Sequence, residues 1–251
     1  MRINTNVGAL TASRNAFVNN MATESSMRKL SSGLRISRAA DDAAGLAIAN
    51  KLRAQHRGLQ AASNNAEQGN ALLQIAEGAA STIERIIERQ KELLVQSASG
   101  QNASVSSTLT TEVSTLNTEI GRIVSAAKFQ GTAVFASHSF AVDEDGATFA
   151  VNAAYTAPGS APTSSTGADT NLQSINDVLA NIGAGQNRLD YTVQNLKSAI
   201  VNVKAAESTI RDVDMAEEMA NFTKNNILTQ AAQAMLSQAN QGSQSVLNIL
   251  R

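Results

Sequence analysis

The stretch from Asn225 to Leu250, NNILTQAAQAMLSQANQGSQSVLNIL, contains no charged residue. Apolar or small residues recur in it at alternating spacings of four and three, which predicts one contact face of a coiled-coil helix. They are Leu228, Ala232, Met235, Ala239, Gly242, Val246 and Ile249. The other faces carry Gln, Asn, Ser and Ala, whereas an ordinary surface helix carries charges opposite its apolar stripe. The sequence therefore predicts a terminal helix that other protein covers on most sides, as happens in a polymer.

A matching pattern opens the chain and spans 22 residues from Ile3 to Glu24, as does the pattern from Leu228 to Ile249. Its apolar members are Ile3, Val7, Leu10, Phe17 and Met21, with Arg14 and Glu24 at the intervening positions. Residues 1–40 carry a net charge of +5 and residues 205–251 a net charge of −2. Because opposite charges assist pairing, we expect the two terminal helices to be partners, with these apolar residues in the contact.

Two longer patterns of equal length predict a pair of helical rods. One runs from Leu52 to Leu94 and the other from Leu172 to Asp214, and each spans 43 residues. A helix of that length extends about 64 Å. A shorter helix from Leu109 to Ala127 follows the first rod and can fold back along it. Because the chain goes out along one rod and returns along the other, the rods are expected to lie antiparallel.

The connecting segments have a different composition. Ser31–Gly45 is expected to be a connector, with Asp41 or Asp42 capping the helix that follows. Phe140 alternates with Val142, and Phe149 with Val151, on either side of Asp143–Gly146, which predicts a β-hairpin. The Pro-, Ser- and Thr-rich stretch that follows, from Ala154 to Thr170, is expected to be an exposed loop.

The predicted fold is mainly α, with long antiparallel coiled-coil rods and a small β-hairpin region. Five segments follow from this reading. They are an N-terminal helix with its connector at 1–45, a rod and fold-back helix at 46–131, a hairpin and variable loop at 132–171, a second rod at 172–214 and a C-terminal helix at 215–251.

Enzyme chemistry has little support in the composition. Cysteine is absent, which excludes thiolate metal sites and cysteine nucleophiles. The two histidines, His56 and His138, are 82 positions apart. Asp143–Gly146 lacks the downstream glutamate of a calcium loop, and Gly183–Gly185 lacks the third glycine of a dinucleotide loop and is read as a helix irregularity. We therefore expect no enzyme activity, no metal and no cofactor.

Charge and hydropathy also exclude some partners. The formal net charge is −1, which gives no reason to expect binding to nucleic acid or to a membrane. The N-terminus lacks the apolar core and cleavage site of a secretory signal, and on that ground alone a cytoplasmic protein would be expected.

Three stretches resemble bacterial flagellin. They are Asn4-Thr5-Asn6, LSSGLRISRAADDAAGLAIANKLRAQ from Leu30 to Gln55, and SQANQGSQSVLNILR at the end of the chain. The resemblance covers residues 1–131 and 172–251, which makes this a short form without large outer insert domains. It implies that the terminal helices form an inner coiled-coil layer, while the rods, the shorter helix and the hairpin form an outer layer.

The resemblance implies a structural subunit that self-assembles into the flagellar filament for swimming motility. Secretion through the type III export apparatus to the extracellular filament would follow, which overturns the cytoplasmic expectation. The terminal helices would be disordered before assembly. The residues implied in inner-layer self-assembly are Ile3, Val7, Leu10, Phe17, Met21, Leu228, Ala232, Met235, Ala239, Val246 and Ile249. A hook–filament junction protein is the alternative, and a soluble coiled-coil scaffold or signalling adaptor inside the cell is a third reading.

The resemblance also implies partners. The first is the chain itself, as a helical homopolymer. A flagellar export chaperone is expected at the C-terminal helix, near residues 212–251, and the filament cap and hook-associated proteins are expected at filament ends. Recognition by the innate receptor Toll-like receptor 5 is implied for Arg89, Leu93 and Glu112.

Overall fold

The computed structural model describes residues 5–99 and 105–249, without the side chains of Ser243 and residues 246–249. Within this part of the chain the helices are α1 (Val7–Ser32), α2 (Ala43–Ser97), α3 (Ser106–Ala126), α4 (Ser165–Arg211) and α5 (Met215–Ile249). The strands are β1 (Lys128–Phe129), β2 (Thr132–Ala133), β3 (Ser137–Ala141) and β4 (Thr148–Asn152). The prediction of a mainly α fold is confirmed.

The chain divides into two compact units. The terminal unit joins the residues up to Ala54 with those from Val203 onward, and the central unit is Gln55–Asn202. Both boundaries fall inside long helices, α2 and α4.

Polar contacts between α2 and α4 fix the direction of the two rods in the central unit. Glu67 pairs with Lys197 at 2.9 Å, and Lys91 pairs with Asp169 at 2.6 Å. Between them, the Asn70 amide donates to Asp190. Residue numbers rise along α2 as they fall along α4, so the rods are antiparallel, as the sequence predicts.

The apolar pattern of the first rod is buried along the central unit. Every pattern position of α2 from Leu59 to Leu94 is buried, and Leu73, Ile83 and Ile87 are completely inaccessible. Helix α4 contributes Ile175, Ile182 and Leu189 to the same core. Rows of Leu and Ile at this spacing bury a continuous stripe, which explains why the rods could be predicted.

Helix α3 folds back onto α2, as expected. Val113 lies in a small apolar cluster with Leu93 and Leu94. In the same region the Gln90 side chain is fully buried and donates to the Val113 carbonyl at 3.1 Å. This contact holds α3 against α2.

The predicted hairpin is present as the antiparallel pair β3–β4, with Phe140 opposite Phe149. A second hairpin, β1–β2, was not predicted. Its two turn residues, Gln130 and Gly131, have φ values of 50° and 84°, as a tight hairpin turn requires. The sequence has Gln where Asn or Asp is the usual indication, and the strands are only two residues long, so the pattern offers little to detect.

The reading of Gly183–Gly185 as a helix irregularity is wrong, because α4 is continuous through it. Gly185 is buried, and a Cβ atom there would lie 2.9 Å from Val151 Cγ1 and 3.2 Å from Leu73 Cδ1. The glycine therefore permits β4 to approach α4 closely. At Gly183 an added Cβ would meet nothing within 4 Å.

These two glycines give a matched pair of substitutions. Both replacements by alanine gain the same helix propensity, of about 1 kcal/mol, but only Gly185→Ala forces its neighbours apart. We expect Gly183→Ala to unfold with the higher free energy, by about 1–3 kcal/mol. Urea unfolding of the two variants measures the difference, and equal stabilities would contradict the close approach at Gly185.

The segment after β4 is less exposed than predicted, and α4 begins at Ser165, earlier than the rod predicted from Leu172. Tyr155 is buried with its ring 6.0 Å from that of Phe135. The Asn117 amide donates to the Pro158 carbonyl at 3.1 Å, and Ala161 packs against the cluster that contains Leu93. Isolated side-chain contacts of this kind produce no periodic hydrophobic pattern in a Pro- and Ser-rich sequence, so the sequence does not reveal them.

Tyr155 gives the central unit a pH dependence. Its hydroxyl is buried without a hydrogen-bond partner among the described residues, and burial raises the pKa of Tyr155 above its ordinary value of 10.0. The unfolded chain ionises first, so this contribution to stability is full below about pH 10 and is lost as pH rises through the folded-state pKa.

We expect Tyr155→Phe to be at least as stable as the parent at neutral pH, because it removes a buried, unsatisfied hydroxyl that costs about 1–3 kcal/mol. It should also lose stability less steeply above pH 10. Urea unfolding at several pH values tests both points. The matched control is Tyr191→Phe, since Tyr191 is 73% exposed, and a steeper alkaline loss in Tyr155→Phe would contradict the account.

Candidate functional site

Helices α1 and α5 pair antiparallel in the terminal unit. The Asn6 amide donates to the Ala239 carbonyl at 3.0 Å, near the start of α1. Near its other end, Lys29 Nζ lies 3.7 Å from Glu218 Oε2. The prediction that the terminal helices are partners is confirmed.

Local interactions fix where α1 begins and ends. The Asn6 side chain accepts from the Ala9 N–H at 3.0 Å and caps the helix. Gly33 ends it with a φ of 68°, which favours glycine, and donates its N–H to the Lys29 carbonyl.

The connector after α1 is fixed to the junction between α4 and α5. The Arg35 N–H donates to the Arg211 carbonyl at 2.7 Å, and the Val213 N–H donates to the Gly33 carbonyl at 3.1 Å. Further along, the backbone N–H groups of Arg38 and Ser37 donate to Asp41 and lower the pKa of its carboxyl group. The Arg35–Arg211 and Val213–Gly33 bonds position α1 relative to α5.

The shielded sides of the two helices carry mainly small or polar residues. On α1 the shielded positions include Ala9, Ala12, Ala16, Asn19, Thr23 and Ser26. On α5 they include Glu218, Phe222, Asn225, Thr229, Ala232, Leu236 and Ala239. Both sets alternate three- and four-residue spacings, which is a coiled-coil contact. Small side chains let the two backbones approach but bury little apolar area.

The prediction that the large apolar residues of α1 lie in this contact is wrong. Val7, Leu10, Phe17 and Met21 are 58%, 67%, 65% and 57% exposed. They lie two residues from the shielded positions, which is about 200° around a helix, so they occupy the opposite side. The exposed residues of this side are named here the α1 outer face: Val7, Leu10, Arg14, Phe17, Met21, Glu24 and Arg28.

Helix α5 agrees with its predicted contact in part. Ala232 and Ala239 are shielded, as expected, but Leu228 and Met235 are 41% and 63% exposed. Exposed residues that flank the contact are named the α5 outer face, and most of them lie one residue, or about 100° around the helix, from a shielded position: Glu217, Ala220, Lys224, Ile227, Leu228, Ala231 and Met235.

A shallow groove of about 590 Å³ runs along the α5 outer face, lined by Met219, Ala220, Thr223, Lys224, Ile227 and Leu228. Three members of the predicted self-assembly set could not be placed. Ile3 lies outside the described residues, as do the side chains of Val246 and Ile249.

The residues implied in receptor recognition lie near one another in the central unit. Arg89 Nη1 is 3.0 Å from Glu92 Oε2, and Arg89 Nη2 is 3.5 Å from Glu112 Oε1. Both Arg89 and Glu112 are about half exposed. Leu93 is only 1% exposed and belongs to the apolar cluster beneath them.

Other kinds of site find no candidate in residues 5–99 and 105–249. No group of three or more His, Asp or Glu side chains in these ranges is placed to hold a metal ion. None of the helices described there combines the length and the hydropathy that crossing a membrane requires.

These features define a class of protein. It is a helical chain with an ordered apolar core in its central unit, and with terminal helices that leave large apolar side chains exposed on both outer faces. The class is that of helical subunits whose terminal helices are completed by other protein.

Comparison with known proteins identifies the family. Residues 3–139 match the model of the bacterial flagellin N-terminal helical region, and residues 166–250 match that of the C-terminal helical region. The chain belongs to the bacterial flagellin family.

Relatives are similar along their whole length. The flagellin of Halalkalibacterium halodurans is 42% identical over 272 residues, and that of Bacillus subtilis is 39% identical over 304 residues. The flagellar filament 33 kDa core protein of Treponema phagedenis is 42% identical over 286 residues. In each case the match covers 100% of both chains.

Proposed function

We propose that this chain is a structural subunit that self-assembles into the bacterial flagellar filament. The observation that carries the proposal is the exposure of large apolar side chains on both outer faces of the α1–α5 pair. The Treponema phagedenis relative bears the name of a flagellar filament core protein, which supports the same role here. The work of such a subunit is mechanical, and the proposal assigns it no reaction.

Exposed apolar area on the terminal helices favours assembly. Burying a Leu, Phe or Met side chain stabilises an assembly by about 1.5–3 kcal/mol. Within one chain, the α1–α5 contact buries mainly small residues, so it gains little of this energy. The large apolar side chains on the outer faces stay exposed to water. Packing of further copies around the pair would bury these side chains and gain that free energy. We therefore propose that ordering of the terminal helices is coupled to assembly.

The absence of charge in residues 225–250 fits this environment. Buried charges would have to be desolvated on assembly, at a cost of several kcal/mol each. Gln, Asn and Ser can instead form hydrogen bonds across contacts between copies at a much lower cost. We propose that α5, together with α1, forms the inner layer of the filament.

The residues proposed for the inner layer are the same ones that the sequence analysis expects there. Those described are Val7, Leu10, Phe17, Met21, Leu228, Ala232, Met235 and Ala239, and Ile3, Val246 and Ile249 complete the proposal. Exposure of six of the first eight in the single chain supports it. A junction protein of the same flagellum would share these helices, but the relatives compared above are named flagellins and filament core proteins.

The remaining partners belong to the proposal as well. We propose secretion to the extracellular filament, a chaperone on α5 before assembly, and contacts with the cap and hook-associated proteins at filament ends. For Toll-like receptor 5, Arg89 and Glu112 are accessible for direct contact. Leu93 would act by supporting them from the core.

Seeded growth tests the function. Purified chain is added to short filament fragments, and elongation is measured by electron microscopy for the full chain and for a chain that lacks residues 215–251. We expect the full chain to elongate the seeds and the truncated chain to fail, although its central unit still folds by circular dichroism. Equal elongation by both chains, or a full chain that stays monomeric, would reject the proposal.

A further inference from the structure

The methionines of this chain are concentrated on the two terminal helices. Of its six methionines, Met1 lies outside the described residues, and all the others are on α1 or α5. The central unit, Gln55–Asn202, contains no methionine, and the whole chain has no cysteine and no tryptophan. Apart from Met1, an oxidant that reacts with sulfur therefore has its targets on the terminal helices and leaves the central unit chemically unchanged.

Three of these methionines lie on the surfaces that the proposed function requires to be apolar. Met21 is 57% exposed on the α1 outer face, and Met235 is 63% exposed on the α5 outer face. Met219 is 49% exposed and lines the groove on α5. Because packed protein has few voids larger than a water molecule, a small oxidant reaches these sulfurs readily only while the side chains stay exposed in the single chain.

We propose that Met21, Met219 and Met235 are oxidation sites through which a peroxide controls whether a subunit can enter the filament. This inference rests on the proposed function and adds its regulation. The peroxide transfers one oxygen atom to the thioether sulfur: the O–O bond breaks, an S–O bond forms, and hydrogen peroxide leaves as water. Sulfur is oxidised by two electrons to the sulfoxide, and the peroxide is reduced by the same two electrons.

A sulfoxide changes these surfaces from apolar to polar. In the single chain, water solvates the new oxygen, so the fold is expected to persist. At a contact between copies the oxygen must find a hydrogen-bond donor or lose its hydration, which opposes assembly. Because dedicated reductases convert methionine sulfoxide back to methionine, the block is released without synthesis of a new chain.

Seeded elongation by oxidised chain tests the proposal. Purified chain is treated with hydrogen peroxide, the excess is removed, and sulfoxide at each methionine is measured by peptide mass spectrometry before seeds are added. We expect sulfoxide at Met21, Met219 and Met235, unchanged urea unfolding of the central unit, and a critical concentration raised about tenfold. Treatment with methionine sulfoxide reductases for both sulfoxide epimers should restore the value of the untreated chain.

A pair of variants tests which sulfurs matter. Met21→Leu combined with Met219→Leu and Met235→Leu removes the three sites and conserves volume and apolar character. The control is Met27→Leu with Met215→Leu, since these side chains are also about half exposed, at 54% and 49%, but belong neither to the outer faces nor to the groove. We expect the triple variant to elongate seeds equally well with and without peroxide, and the control to lose elongation as the parent chain does.

Several results would overturn the proposal. One is an oxidised parent chain that elongates seeds as well as the untreated chain, and another is a loss that the reductases do not restore. A triple variant that stays sensitive to peroxide, or a control variant that becomes resistant, would overturn it too. If the untreated parent chain does not elongate seeds at all, the proposed function fails instead, so the two failures are distinguishable.

Discussion

A chain with Phe17→Ser and Met21→Ser is expected to lose seeded elongation at concentrations where the parent chain assembles. The two side chains are 65% and 57% exposed in the single chain, so the substitutions remove little from its own stability. In the assembled state each would forfeit about 1.5–3 kcal/mol of apolar burial. The critical concentration should therefore rise roughly a hundredfold or more, as measured by sedimentation of filaments grown from seeds.

The matched control for this variant is Tyr191→Ser. Tyr191 is a large side chain that is 73% exposed on α4 in the central unit, so its replacement removes a similar exposed area away from the terminal helices. We expect the control to elongate seeds much better than the double variant. Normal elongation by the double variant would show that the α1 outer face takes no part in assembly.

Replacement of a central core residue is expected to have the largest effect on stability. Leu73 is completely inaccessible on α2, and it lies where α2, α4 and β4 approach at Gly185. Leu73→Ala should lower the free energy of unfolding by about 2–5 kcal/mol. Urea unfolding of the monomer measures the loss.

Ile75→Ala is the control for the core substitution. Ile75 lies two residues away on the same helix but is 42% exposed, so its loss should cost well under half as much. Equal costs for the two variants would mean that the stripe through Leu73 is not the core of the central unit.

The rods could be predicted because their information is local and repeated. Leu59, Leu73 and Ile87 belong to one row of large apolar residues at coiled-coil spacing, and such a row has only one stable use, which is burial. The hairpin β3–β4 could be predicted for a similar reason, since large apolar residues alternate on both sides of a short turn, Phe140 with Val142 and Phe149 with Val151.

Features that depend on distant contacts could not be predicted. Gly185 is compatible with a helix defect until Val151 is seen to occupy the space beside it. Likewise, the packing of Ala161 and the anchoring of Pro158 by Asn117 depend on residues from other elements. Nothing in the local sequence distinguishes such a segment from an exposed loop.

The sequence predicts which residues share a face of α1, but not which side of α1 contacts α5. The sequence pattern identified Val7, Leu10, Phe17 and Met21 as one face of a helix, and that is correct. It placed this face against α5 because large apolar residues dominate any hydropathy pattern. On the α1 side the actual contact uses alanine, asparagine, threonine and serine at the same spacing, and residues such as Ala12 and Ala16 are too small to stand out.

The most direct test of the account is the accessibility of the α1 outer face before and after assembly. Met21→Cys introduces the only thiol in the chain, and its rate of labelling by a maleimide is measured in monomer and in intact filaments. The account predicts fast labelling in the monomer, where Met21 is 57% exposed, and strong protection in the filament. Equally fast labelling in intact filaments would contradict it.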